Sequence, residues 1–274
     1  FGGEGENVFL VRTDVSRSEL ANVSKEVKDN LERIYGENTV TVERVEMVGP
    51  KVGKDLRQKA LLAIYYALLL IAIYISWRFE QKLMPAVIMA GALFLGVLGL
   101  REIGMSIPML IVAALVITLI CCWFLKLKYA LGAVSALIHD VMITVGAFAI
   151  TNKEFDLTVV AALLTIIGYS LNDTIIVFDR IRENLRKGKR REFAELVNDS
   201  INQTLSRTIL TSGTTLAVVT ALFILGGGVI HDFAFALIVG VMVGTYSSIF
   251  VASPILIAWE AKFANTRVRA TAKR

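Results

Sequence analysis

Asp173 and Arg207 are the residues whose types and places in this 274-residue chain point most directly to chemistry. Asp173 follows Asn172 inside the apolar stretch Leu157–Phe178, and Arg207 stands just before the stretch Thr208–Ile230. An aspartate at the centre of a membrane helix costs about 2.5–3.5 kcal/mol on insertion scales, so it faces protein or water rather than lipid. Asp173 precedes Asp179, where a basic loop begins, by a helical distance of roughly 9 Å, which puts it in the half of the bilayer nearer that loop. The two stretches are consecutive and antiparallel, so their spacing allows Asp173 and Arg207 to meet at similar depth. The chemistry this suggests is proton carriage. An arginine stays charged at any useful pH. A guanidinium nearby favours the ionised form of a carboxylate, and its withdrawal favours the protonated one. One charge crossing the membrane is worth about 2.3 kcal/mol per 100 mV. A static ion pair, or an aspartate bonded only to neighbouring hydroxyls, is the competing reading.

A second intramembrane carboxylate is Asp140, preceded by His139, in the stretch Tyr129–Ile150. It reads as a polar packing contact or as further support for a proton path. Ser170, Asn172, Thr174, Thr211, Ser212, Thr214 and Thr215 crowd the two stretches that carry Asp173 and follow Arg207. Such side chains bond across helices in lipid, and they equally suit a wet path lined by hydroxyls. Gly240 and Gly244, with Ser247 and Ser248 after them, have the spacing of small residues at a close helix contact.

Enzymatic readings fit poorly. The chain has no HExxH, GxSxG, Walker A or paired-cysteine metal spacing. Its histidines stand far apart, at His139 and His231. Asp140 and Asp173 match an intramembrane aspartyl hydrolase in number but not in surrounding motif. Cys121 and Cys122 are sequence neighbours, too close for an ordinary disulfide. No cofactor and no metal are expected.

The elements that must hold these residues are membrane helices. Hydrophobic residues make up 55% of the chain and charged ones 19%, which exceeds what one soluble core of this size would hide. Seven apolar stretches each approach the ~20 residues that cross ~30 Å of hydrocarbon: Ala60–Trp77, Leu83–Leu100, Ile103–Leu125, Tyr129–Ile150, Leu157–Phe178, Thr208–Ile230 and Phe233–Trp259. A re-entrant hairpin is the alternative over 83–125, where Arg101 and Glu102 make a short turn. Loops on one side carry 17 Lys and Arg and those on the other carry 2. By the positive-inside rule the C-terminal tail is cytoplasmic and the N-terminal region periplasmic. The net charge of +5 thus marks topology and lipid contact, and no nucleic-acid partner is expected.

Seven segments follow. Residues 1–58 read as a small periplasmic α+β domain, partial at its start because the chain opens on Phe1. Its pattern is a strand over Asn7–Arg12, a helix opened by Ser16 and Glu19 and closed at Gly36, and a strand over Thr39–Glu46. Residues 59–80 form a membrane helix, 81–126 a helical hairpin, and 127–179 two further helices. Residues 180–205 are a basic cytoplasmic loop with an amphipathic helix lying on the membrane surface, its apolar face formed by Phe193, Leu196, Val197, Ile201 and Leu205. Residues 206–260 are two more membrane helices and 261–274 a basic cytoplasmic tail.

The run Gly168-Tyr-Ser-Leu-Asn-Asp-Thr-Ile-Ile-Val-Phe-Asp-Arg-Ile-Arg-Glu-Asn184 resembles the signature of the SecF family, subunits of the SecDF protein-export complex. Ala136-Leu-Ile-His-Asp-Val141, Ser206-Arg-Thr-Ile-Leu-Thr-Ser-Gly-Thr-Thr-Leu216, Gly244-Thr-Tyr-Ser-Ser-Ile-Phe250, Val48-Gly-Pro-Lys-Val-Gly53 and Arg78-Phe79-Glu80 match it too. The resemblance implies a polytopic α-helical membrane protein with an RND-superfamily helix bundle. It implies a subunit that pairs with SecD, uses the proton-motive force and assists SecYEG-dependent translocation of a preprotein across the bacterial inner membrane, with YajC as a further partner. It assigns proton coupling to Asp173 and Arg207; the residue types alone add Asn172, Ser170, Thr174, Thr214, Thr215, His139 and Asp140 as positions that would support a proton path, with packing as the alternative. The chain departs from the family in two ways. The family's first membrane helix is missing, and residues 81–126 read as an inserted hairpin that returns the chain to its starting side. An RND-type exporter of lipid or small molecules and a purely structural translocon subunit are the rival readings.

Overall fold

The computed structural model describes residues 20–36, 39–42, 50–80, 83–153, 155–187 and 192–271. Packing divides the chain into two units, Phe1–Lys59 and Ala60–Arg274.

In the first unit the described structure is α1 (Leu20–Tyr35). Gly36 ends it with φ +107°, a left-handed conformation that glycine adopts without strain, and its N–H donates to Glu32 O at 2.8 Å. From Leu20 on, the expected helix is therefore present up to its glycine stop; its expected opening at Ser16 and Glu19 lies outside the described residues. Strands were expected on both sides of it. Asn7–Arg12 lies outside the described residues, as do 43–46 of the second, and residues 39–42 adopt no strand conformation.

The second unit is a helix bundle. It comprises the greater part of α2 (Pro50–Glu80), then α3 (Leu83–Glu102), α4 (Ile107–Phe124), α5 (Lys128–Ile150), α6 (Leu157–Arg186), α7 (Phe193–Leu225) and α8 (Gly228–Ser247). A wide π-turn, Ser248–Ala252, joins α8 to α9 (Ser253–Thr271). Among the described residues, seven stretches are long and apolar enough to cross a membrane, one in each of α2 to α7 and one running through α8 and α9. This is the number read from the sequence.

The central helix is α6, packed on α5, α7 and α8. Asp156 caps its start, accepting from the N–H groups of Thr158 at 3.0 Å and Val159 at 2.9 Å. Such a cap is worth about 1 kcal/mol. Glycines set how closely α8 approaches α6. A Cβ on Gly244 would lie 3.0 Å from Ser170 Cβ, and one on Gly240 would collide with Ile166. The small-residue spacing noted in the sequence is thus a real close approach.

At its basic end, α6 runs well past the span expected to stop at Phe178, and α7 begins well before the one expected to open at Thr208. The amphipathic segment expected on the membrane surface is instead the first part of α7, continuous with its span. Leu196 and Val197 are buried in the main core cluster, and Phe193 and Ile201 pack against it. Asn184 on α6 donates to Ser200 Oγ on α7 at 2.8 Å. The apolar stripe is covered by the protein itself, which is why it lies along the bundle and not flat on lipid.

The hairpin α3–α4 turns through Gly104, at φ +82°. Met89, Leu93, Leu110, Ala114 and Cys122 place its inner face in the core. Trp123 meets Trp259 of α9 edge-on at 4.9 Å. Near the basic end, Arg78 of α2 pairs with Asp179 of α6 at 2.5 Å, and Phe79 packs edge-on against Phe178.

Candidate functional site

Mid-bundle, where α5, α6, α7 and α8 converge, the otherwise apolar interior holds two buried carboxylates. Asp173 projects from α6 and is 1% exposed. Its hydrogen-bond partner is Ser212 of α7, whose hydroxyl donates to Oδ2 at a long 3.4 Å. Ser212 Oγ also lies 2.7 Å from Thr245 Oγ1 on α8 and 3.5 Å from the hydroxyl of Tyr169 on α6. The Tyr169 hydroxyl reaches Thr215 Oγ1 at 3.3 Å. One hydroxyl cluster thus links Asp173 to two neighbouring helices.

Asp140 on α5 has no solvent exposure. Its Oδ2 accepts from Ser170 of α6 and, at 2.8 Å, from Ser247 of α8. Its Oδ1 lies 3.0 Å from Nδ1 of His139. The two clusters meet on α6, where Ser170 and Asp173 stand one turn apart, and on α8, where Thr245 and Ser247 are near neighbours.

Arg207 is exposed on α7 and makes no ion pair with Asp173. Between Arg207 and Ser212, Thr208 is buried and its Oγ1 has no partner. Thr208 and Ser212 share one face of α7 at i, i+4 spacing. Asp173 and Arg207 thus stand unpaired on consecutive helices, one buried and the other exposed, and the hydroxyl of Thr208, next to Arg207 in the chain, is uncommitted.

Of the remaining sequence candidates, Thr174 is buried and bonds to Ser170 O at 3.3 Å. Thr214 is exposed and bonds to its own helix backbone. Asn172 is exposed, on a stripe of α6 with Ala161, Thr165 and Gly168, and nothing would meet a Cβ on Gly168 within 4 Å. A small, polar stripe at this depth suits a second helix or water better than acyl chains. Tyr169 and Thr245 were not singled out from the sequence, and Ser247 was read only as a packing residue. The signal for Thr245 and Ser247 was present in the hydroxyl-rich run Thr245-Tyr-Ser-Ser248, which interrupts an apolar stretch. Among the described residues no group of His, Cys, Asp or Glu is placed to hold a metal ion.

The chain as a whole is similar to known proteins. A sequence profile described as "Protein export membrane protein SecD/SecF, C-terminal" matches residues 26–117 and 98–262. The chain is 42% identical over 269 residues to the protein translocase subunit SecF of Desulfurispirillum indicum, covering 96% of this chain and 70% of that one. It is 47% identical over 231 residues to the SecF of Magnetococcus marinus, covering 84% and 60%. To the protein translocase subunit SecDF of Thermus thermophilus it is 39% identical over 242 residues, covering 88% and 27%. A solved structure, "Crystal structure of SecDF in Super-membrane-facing form", superposes with a TM-score of 0.53 at 44% identity, over 61% of this chain and 23% of that chain. The chain therefore spans only part of the length of each of these relatives.

Proposed function

This chain belongs to the SecD/SecF family of protein-export membrane proteins, and on that premise we propose that it is the SecF-type, proton-coupling subunit of an export complex. It is a multi-pass membrane protein, and the relatives make it a subunit of a protein translocase. The observation that carries the coupling role is Asp173: a carboxylate almost without exposure inside a membrane bundle, bonded to a single distant hydroxyl, with an arginine on the next helix that makes no ion pair with it. A finished structural ion pair would join the two. This arrangement has two states available to it. With Arg207 drawn in, the carboxylate is held ionised; with Arg207 withdrawn, Asp173 takes a proton.

The relation to SecDF supports SecD as the partner. The exposed stripe Ala161, Thr165, Gly168 and Asn172 suits a neighbouring helix at the depth of Asp173. Further out, the reading extends to SecYEG, YajC and an emerging preprotein, in the bacterial inner membrane. The N-terminal region is then periplasmic and the tail cytoplasmic, which the excess of basic residues on one side supports. The subunit performs no bond-making chemistry of its own; it transfers protons and moves.

The test is Asp173→Asn in the assembled complex. Proton-driven stimulation of export into vesicles is expected to fall to the level seen without a proton gradient, while the complex still assembles. Export at the normal rate from a fully assembled variant overturns the proposal and leaves a structural subunit.

A further inference from the structure

We propose that Asp140 is a second proton-binding carboxylate of this bundle, loaded through His139, and that its charge state sets how firmly α8 is held to α5 and α6. The inference rests on reading the bundle as a proton carrier, but it concerns a different carboxylate on a different helix.

Asp140 stands near the middle of α5 with no exposure, and among the described residues no lysine or arginine pairs with it. Its partners are His139, Ser170 and Ser247. The last two are on α6 and α8, so one carboxylate ties three helices together. The close approach that allows this is built in, because a Cβ at Gly244 would stand 3.0 Å from Ser170 Cβ, closer than an ordinary contact. His139 connects the buried acid to the outside of the bundle. Its side chain is 28% exposed, and its ring stacks at 6.3 Å on Tyr246, which is itself 53% exposed.

Among the charged and titratable groups on the packed elements, His139 lies on α5, Tyr169 and Asp173 on α6, and Tyr246 on α8; toward the ends of these helices come Tyr129 of α5, Asp179, Arg180, Arg182, Glu183 and Arg186 of α6, and His231 of α8. Asp232 of α8 pairs with Lys153, and Glu260 of α9 pairs with Lys128, at opposite ends of α5. Cys121 and Cys122 lie at the end of α4.

The step balances simply. A proton binds Nε2 of neutral His139. The Nδ1–H bond then breaks and an O–H bond forms on Oδ1 of Asp140. This leaves a neutral imidazole, its proton now on Nε2, beside a neutral acid. Hydrogen bonds to an ionised carboxylate are roughly twice as strong as neutral ones. Unloaded, Asp140 grips the Ser170 and Ser247 hydroxyls; loaded, it holds them as an ordinary acceptor, and α8 is freed to shift on α6.

Infrared difference spectroscopy of the complex in lipid, stepped across pH, tests this. Two protonated-carboxyl bands are expected. Asp140→Asn removes one and Asp173→Asn the other, while His139→Gln slows the appearance of the Asp140 band alone. Should Asp140→Asn fail to assemble, Ser247→Ala identifies the band in a folded complex, because losing a hydroxyl donor shifts the carbonyl frequency. A single pH-dependent band, abolished by Asp173→Asn and unmoved by Ser247→Ala and His139→Gln, overturns the inference. Normal export by Asp173→Asn with the Asp140 band intact counts against the coupling role of Asp173 and leaves this inference standing.

Discussion

Two aspartates dominate at the scale of single residues, and both were visible in the sequence because a carboxylate in an apolar stretch is too costly to be incidental. Their partners were not visible. Whether Asp173 meets Ser212 or Thr214 depends on the rotation of α7 about its axis, and sequence spacing gives depth far better than rotation. Ser212 turns inward and Thr214 outward. The same limit applies to Arg207, whose spacing places it near the depth of Asp173 but whose side chain is exposed. The gap between them makes a specific prediction. If Arg207 acts by docking its planar fork on Asp173, then Arg207→Lys keeps the charge and loses the fit. Proton-driven export by that variant is expected to lie well below wild type and above Arg207→Met, measured in the same vesicles. Ser212→Ala removes the carboxylate's hydroxyl donor and leaves Asp173 buried without a hydrogen-bond partner. A loss of about 1–3 kcal/mol in stability is expected, read from the thermal unfolding of the complex.

Among the elements, close contact between α6 and α8 decides the geometry of both carboxylate clusters. Gly240 leaves space occupied by Ile166, so Gly240→Ala forces the helices apart. It is expected to cost about 1–3 kcal/mol as an overpacked core does, and to lower the melting temperature measured in detergent or nanodiscs. An alanine at Gly91, where a Cβ meets nothing within 4 Å, is the matched control. The seven spans were legible because length and apolarity alone define them. The apolar stripe from Phe193 to Leu205 was legible as a helix face but not in its setting, since periodicity is the same whether lipid or protein covers it. Here α6 continues to Arg186 and supplies the cover. The strand pattern around α1 falls largely outside the described residues.

For the whole molecule, the hairpin α3–α4 matters by parity. It adds two crossings, so everything after it keeps its side of the membrane. Deletion of 83–125 is expected to leave a reporter fused after Arg274 on its original side, whereas deletion of α4 alone moves that reporter across; a compartment-dependent enzyme tag distinguishes the outcomes. The same deletion strips the Trp123 contact from Trp259 and is expected to lower thermal stability. A last consequence follows from the lengths of α6 and α7, at 30 and 33 residues. Such rods are about 45–50 Å long and overshoot the hydrocarbon by about 15 Å, chiefly at their shared basic end. A tilt of about 10° around the bilayer midplane would sweep the tip of that overhang by about 5 Å. Were the bundle to pivot near the buried acids, the pair would act as a lever, turning a small rotation into a displacement large enough for a spin label or fluorophore beyond the headgroups to register.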